Sequence, residues 1–520
     1  MDAAPESSSL PAQSSAPSGT SKPKRGKRNA KSDPPAPGKV DRRGKRARGR
    51  ETADWTSKRD KGEGNEDEGD DKKERLPKRK CAVLVGFCGT GYSGMQFQAT
   101  QKDTKTIEGD LFDALVKAGA VSSDNSDDPT KVSLGRAART DAGVHAAGNI
   151  VSLKLINEIP ELHSAGISLV DHVNSFLPPQ IRVWQILRTT NNFNTCDSRI
   201  YEYLFPSYIL MPPHPASQLG ARLARSSATS DPDTPTSEPS IEELDELHKK
   251  FRATPDQLAR FQEVLKQFEG THNFHNYTVG RPFSDKAAAR YMIKLEVREP
   301  RVEGDFEWVS VQFHGQSFML HQVRKMIGMV MLVARTSTPA TLIPETFGPS
   351  RIHIPRAPAL GLLLEQPRFS SYNTKTEQSN AQIQKQQSEA PAAIDIDEAQ
   401  PEAEGAGKKP STNVNDVAGI GGATIKEPID FEPHRETIEV FKRDHIYAAM
   451  RAEEASNHVF SQWITSVDRY AGSDFDYLNA EGTIPASAVM KKGKGDTFAE
   501  AVEDEPQTSM PRTKMDELEG

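Results

Sequence analysis

The chain has 520 residues, a net charge of −7 and 35% hydrophobic residues, with a mean hydropathy of −0.64; the polar excess sits at both ends and in two inner stretches, leaving an ordinary globular middle. Cys81, Cys88 and Cys196 are too few and too scattered for a disulfide framework or a four-cysteine zinc site, which points to a reducing compartment. Asp2 and Glu6 interrupt a start that lacks an apolar core, and the longest apolar run, 326–334, is too short to span a bilayer, so a soluble intracellular protein without membrane contact is expected.

Residues 1–77 read as a disordered tail, low in apolar residues and rich in charge. Basic clusters within 22–28, 42–50 and 78–80 suit nuclear import or loose nucleic-acid contact; a solvated tail without a specific partner is the bland alternative. Structure begins near Lys78. The run 81–87 predicts a strand, and Gly89, Gly91 and Gly94 mark a turn after it. Thr106 opens an amphipathic helix carrying Leu111, Leu115 and Val116. Strand patterns follow at 149–155 and 181–187, with a helix at 167–176 between them. The first globular half, 78–211, therefore alternates strands and helices in an α+β or α/β manner.

A Pro/Ser/Thr-rich insertion, 212–240, reads as a flexible loop. The second half, 241–371, starts with a capping box at Thr254-Pro255-Asp256-Gln257, ahead of an apolar face of Leu258, Phe261, Leu265 and Phe268. Ile293, Leu295 and Val297 predict one strand face, and Val309, Val311 and Phe313 another. Ser317 is expected to cap a helix along Met319, Val323, Ile327 and Val330, with His321 and Arg324 sharing a face. A low-complexity linker at 372–425, a short structured return at 426–465 and an acidic tail at 466–520 complete the chain.

Four constellations invite chemistry. In Gly135-Arg136-Ala137-Ala138-Arg139-Thr140-Asp141-Ala142-Gly143, alternation puts Arg139 and Asp141 on one side of an extended segment. A carboxylate beside an arginine on a loop braced by a strand suits a nucleophile or an ion-pair anchor; the alternative is a surface pair of little energetic value. Arg199, Tyr201 and Tyr203 share a strand face and suit stacking on a base and its phosphate, or else a core stripe with a snorkelling arginine. The His272 and His275 pair lacks a completing carboxylate or cysteine, so polar loop capping outranks a metal site. Arg324, on an otherwise apolar helix, needs a carboxylate such as Asp141 or a route to solvent.

Taken in order, the segments 87–98 (FCGTGYSGMQFQ), 138–146 (ARTDAGVHA), 196–203 (CDSRIYEY) and 315–328 (GQSFMLHQVRKMIG) resemble the motifs of tRNA pseudouridine synthases of the TruA family, and within it the eukaryotic nuclear type. Stretches 270–277, 357–365 and 441–447 fit as well, so the resemblance spans about 78–465. It implies an α+β fold with a mixed central sheet built from two related halves flanked by helices, with RNA between them. It implies Asp141 as the catalytic aspartate, Arg324 as its ion-pair partner, and Tyr201 and Arg139 as substrate-binding residues around a flipped uridine. No cofactor or metal is called for, because the isomerisation involves no redox or phosphoryl chemistry. The implied partners are tRNA, with mRNA or snRNA as further substrate candidates, and the nuclear import machinery. One departure stands out: Phe87-Cys88 replaces the Tyr-Asp common in bacterial members, in a segment expected to lie away from the chemistry.

The rival readings are an RNA-binding protein without catalysis, a glycosylase and a scaffold organised by its tails. A glycosylase would want a second carboxylate, and the matching motifs supply none.

Overall fold

The computed structural model describes residues 76–98, 104–190, 196–226, 237–389 and 425–490. The basic clusters before Lys78 and the last thirty residues lie outside the described residues.

Among the described residues ten strands form one mixed sheet: β1 (Arg79–Phe87), β2 (Gly135–Arg136), β3 (His145–Leu155), β4 (Ile181–Arg188), β5 (Ser198–Pro206), β6 (Gly270–Asn273), β7 (Ala289–Val297), β8 (Arg301–Glu303), β9 (Phe306–Gly315) and β10 (Leu362–Arg368). The main order is β4-β1-β3-β10-β5-β9-β7-β6, with β2 beside β3 and β8 beside β9. Strand β10, from the second half, is inserted between two strands of the first, parallel to β3 and antiparallel to β5. The last strand of the second half thus joins β5, which pairs with β9 on its other side, to the β4-β1-β3 part of the first half. This is the α+β architecture that the resemblance implies, a mixed sheet with flanking helices.

Among the described residues twelve α-helices accompany the sheet: α1 (Ile107–Lys117), α2 (Pro160–Ala165), α3 (Leu169–Phe176), α4 (Gln218–Ser226), α5 (Ile241–Lys250), α6 (Pro255–Lys266), α7 (Gln322–Arg335), α8 (Leu342–Glu345), α9 (Ser370–Glu389), α10 (Arg435–Phe441), α11 (Ala448–Asn457) and α12 (Val459–Arg469). Helices α1, α3, α5 and α6 start on side-chain caps. Thr106 accepts from the Gly109 amide, and Thr254 and Gln257 close the expected capping box. Helix α1 packs on α3, and α6 on α7. Phe205 of β5 stacks on Phe261 of α6, so the face of β5 that carries Tyr201, Tyr203 and Phe205 is the one under α6. Glu202 points to the opposite face, where Lys442 and Tyr447, in a π-helical turn at 442–447, meet it.

Several expectations change. Helix α7 starts at Gln322, not near Ser317, because His321 adopts a left-handed backbone (φ 60°) that a helix cannot continue through. In β7 the register shifts between Met292 and Lys294, which breaks the alternation: Leu295 is buried while Ile293 faces solvent. The insertion at 212–240 contains α4, whose Leu219 is buried, and the segment read as linker opens with α9. The folded body also continues past residue 465. Phe475 and Tyr477 are fully buried, and Val489 bridges to Ile352; an acidic average composition hid these few large apolar anchors.

The three cysteines are free. Among the described residues no helix is long and apolar enough to cross a membrane, and no three His, Cys, Asp or Glu side chains cluster to hold a metal. His272 instead stacks on Phe347, with its Nε2 2.7 Å from the Glu269 carbonyl oxygen. The neighbouring Asn276 donates to the Thr346 and Ser350 carbonyls. This motif is a polar brace for a loop, as the capping alternative holds.

Candidate active site

Asp141 lies on the loop between β2 and β3, and that loop is anchored along its length. The Ala137 amide donates to the Ile150 carbonyl (2.9 Å), and Val144 N donates back to the Asp141 carbonyl (3.2 Å). Two buried side chains hold its carbonyls: Arg199 of β5 donates to Ala137 O and Asn149 of β3 to Ala138 O, each at 2.9 Å. Gly143 makes the turn at φ +75°, which glycine adopts without strain.

The opening motif is the other wall of this loop. Met95 N donates to Thr140 O (3.2 Å), and Gly89 N donates to His145 Nδ1 (3.1 Å). A Cβ on Gly89 would collide with the Val144 carbonyl, so glycine is required for the approach. Burial drives the His145 imidazole down to about 4, leaving it a neutral acceptor for that amide. Below the loop, buried Glu108 pairs with Arg136, with Nη2 to Oε2 at 3.0 Å, and also accepts from Phe97 N. The segment expected to lie away from the chemistry therefore positions it.

From the other half comes the start of α7. A small cleft of about 80 Å³ is lined by Arg139, Thr140, Asp141, Tyr201, His321 and Arg324, together with apolar residues that include Phe318, Met319, Val323 and Leu362. The four side chains singled out in the sequence thus converge on one place. Tyr201 stands edge-on to Phe318, ring centroids 5.1 Å apart. Burial pushes its phenol up to about 12, so it keeps its proton at neutral pH. Arg324 Nε donates to the Ala357 carbonyl at 2.7 Å, and the Ala357 amide returns a bond to Arg324 O at 3.1 Å. The Asp141 side chain is 43% exposed, and its Oδ2 lies 3.6 Å from His321 Nδ1. A half-exposed carboxylate thus lines the cleft with Arg139 and Arg324, beside a protonated phenol and an apolar wall.

Larger cavities lie elsewhere. One of about 600 Å³ is lined by residues around 157–169, and one of about 290 Å³ is walled by Pro212, Pro213 and Pro239. In the second the Asp468 carboxylate is already clasped by Arg335. Convergent chemistry marks the site here, and volume does not.

Sequence reasoning missed three of these positions. Arg199 was read as a base-stacking or snorkelling partner, but it holds a loop carbonyl. Asn149 and Gly89 act through tertiary neighbours that no local pattern announces.

A family model described as tRNA pseudouridine synthase matches residues 264–370. A Yarrowia lipolytica protein named tRNA pseudouridine synthase 1 is 37% identical over 464 residues, covering 78% of this chain and 78% of its own length. The chain belongs to the tRNA pseudouridine synthase family. The Schizosaccharomyces pombe protein of the same name is 34% identical over 86% of this chain and 93% of its own. A mouse protein named pseudouridylate synthase 1 homolog is 29% identical over 84% of each chain. In this chain of an isomerase family, the cleft lies where β5, the β2–β3 loop and the start of α7 meet.

Proposed function

We propose that this protein isomerises uridines in tRNA to pseudouridine, with Asp141 as the essential carboxylate. The reaction breaks the N1–C1′ bond, turns the uracil, joins C5 to C1′, and moves the C5 proton to solvent as N1 takes one up. Nothing is oxidised or hydrolysed overall. An ionised carboxylate serves either as a nucleophile at C1′ or as a counter-charge to a developing oxocarbenium. The observation that carries the reading is the convergence of Asp141, Arg139, Tyr201 and Arg324 on one cleft, inside a family of that name.

Each residue has a role that follows from its setting. A base stacked in a helix is out of reach, so the uridine must be flipped out. The Tyr201 ring and Phe318 offer an apolar surface for it, and Arg139 fills the gap or holds the displaced phosphate. Arg324 pairs with Asp141 and keeps it ionised and aimed. Because Tyr201 stays protonated, its hydroxyl is a donor in the resting enzyme, and it accepts the C5 proton only in concert with losing its own. The basic runs before Lys78 would serve nuclear import and non-specific contact with tRNA, and mRNA or snRNA are further substrate candidates.

Asp141→Asn should abolish tritium release from tRNA carrying C5-labelled uridine, by more than about 10³-fold, while filter binding of tRNA stays near wild type. Normal turnover by that variant would falsify the assignment. Removal of residues 1–77 should leave turnover in vitro intact and shift the protein out of the nucleus. A truncated protein that stays nuclear would sink the import reading.

A further inference from the structure

One contact in the cleft has no role in the scheme above. His321 stands between the carboxylate and a third arginine, in a backbone conformation that histidine seldom adopts. Its φ of 60° ends the chain's approach to α7, while its own carbonyl accepts from Lys325 N and starts the helix. That conformation turns the ring into the cleft instead of along the helix. The side chain is 11% exposed.

Both ring nitrogens face charged groups. Arg356 Nη1 lies 3.0 Å from His321 Nε2. A guanidinium only donates, so Nε2 must be the acceptor and carry no proton. In the neutral ring the proton then sits on Nδ1, the nitrogen 3.6 Å from Asp141 Oδ2. Burial, Arg324, Arg356 and Lys325 together hold the imidazole down to about 2, so the second proton never arrives in working conditions. The groups around the ring are Arg324 and Lys325 from α7, Arg356 from the segment between α8 and β10, Asp141 and Arg139 from the β2–β3 loop, and Tyr201 from β5.

The position of Arg356 is not left to chance. Its neighbour Ala357 is locked to Arg324 by hydrogen bonds in both directions, at 2.7 and 3.1 Å. Gly328 of α7 lets the chain pass so close that a Cβ there would lie 2.6 Å from the Pro355 carbonyl. The segment around 355–357 is therefore fastened along α7, and Arg356 has a fixed base from which to reach His321.

We propose that His321 is a positioning residue for the isomerisation: its Nδ1–H, fixed as the sole tautomer by Arg356, donates to Asp141 Oδ2 and leaves Oδ1 aimed at C1′. The reading rests on Asp141 being the essential carboxylate. At 3.6 Å the donor stands just outside hydrogen-bond range, as pre-catalytic contacts often do before substrate excludes water. A neutral donor has a use that a further cation lacks. It orients the carboxylate without taking away more of the negative charge the reaction needs, whereas Arg324 already provides the opposing charge. The strained backbone at His321 fits this role, because strain persists where surrounding structure fixes a side chain for a purpose.

Two substitutions separate this role from folding. His321→Gly removes the ring and suits a positive φ, so its melting temperature should match or exceed wild type. Its kcat for tRNA should fall by about 10- to 100-fold with KM changed less than about threefold. His321→Asn tolerates the same backbone and places an amide N–H where Nδ1 stood, so it should recover most of the lost kcat. In ¹⁵N-histidine spectra, the signal lost in His321→Gly should report the Nδ1–H tautomer and show no titration between about pH 5 and about pH 8. A kcat within about twofold of wild type for His321→Gly, an Asn variant no better than Gly, or an Nε2–H tautomer overturns the proposal. Asp141→Asn, assayed alongside, keeps the two readings apart. An inactive Asp141→Asn with a fully active His321→Gly removes only the role of His321, whereas an active Asp141→Asn removes the essential carboxylate itself.

Discussion

Tyr201 and Glu202 are neighbours on β5, yet they face opposite sides of the sheet and opposite electrostatic problems. On the Tyr201 side one half-exposed carboxylate, Asp141, is surrounded by donors and left open to an incoming ligand. On the Glu202 side a buried lysine, Lys442, satisfies three carboxylates at once: Glu202 at 3.2 Å, Glu365 at 2.9 Å and Glu439 at 3.3 Å. Glu202 also accepts from Ser310 (2.6 Å) and Tyr447 (2.8 Å). Charges behind the sheet are paired with one another and fasten the C-terminal helices, while those in front line the cleft of the proposed site. One strand thus separates a cluster that stabilises from the cluster proposed to react.

The division predicts different losses on the two sides. The largest is expected behind the sheet. Lys442→Met keeps the volume but strands Glu202 and Glu365 in a buried setting, which should destabilise the protein by about 3–5 kcal/mol in urea unfolding. Turnover per folded molecule should change little at low temperature. A stable Lys442→Met with poor kcat would mean that the rear cluster belongs to the catalytic machinery. Next comes Gly89→Ala on the front. The added methyl meets the Val144 carbonyl of the catalytic loop, and displacing such a loop by an ångström costs on the order of 10²-fold in rate. Here kcat should collapse while the urea midpoint moves little. Unchanged kcat would show that the opening motif is only a neighbour of the site.

How far the sequence foretold this division depends on the range over which each cause acts. Thr106 and Thr254 announce their helices because a cap is settled within three residues. The strand at 81–87 declares itself through a short apolar run and that at 149–155 through Val151, Leu153 and Leu155 on one face, and they emerge as β1 and β3. Insertion of β10 between β3 and β5 is a pairing across more than a hundred residues, and no local pattern encodes it. The bulge in β7 and the left-handed turn at His321 arise from tertiary fit, so they defeated alternation and capping rules that were locally sound. In the site, Asp141, Arg139, Tyr201 and Arg324 were legible because their segments resemble a family in order. Asn149 and Arg199 look like ordinary strand residues and acquire a role only when loop carbonyls arrive beside them.

The smallest expected effect is a pH dependence behind the sheet, and it tests whether Glu202 and Glu365, the two more buried of the three carboxylates on Lys442, are equivalent. Burial pushes Glu202 up, but Lys442 and the bonds from Ser310 and Tyr447 outweigh it and hold its carboxyl below the ordinary range. Glu365 ends above that range, because burial and the Glu202 charge exceed what Lys442 returns. The folded protein thus binds a proton at Glu365 more tightly than the unfolded chain does. Stability from that group is complete below the ordinary glutamate pKa and is lost as pH rises through the folded value. Glu202 runs the other way: its contribution is present above the ordinary pKa and fades as pH falls through its depressed value. Glu365→Gln removes the first dependence and keeps the second. Relative to wild type, the variant should gain stability steadily from about pH 4 upward and level off once wild-type Glu365 is ionised, as read from urea midpoints at stepped pH. A difference that stays flat with pH would mean that Lys442 holds both carboxylates alike, and the rear cluster would then be a symmetric clamp with no proton of its own to release.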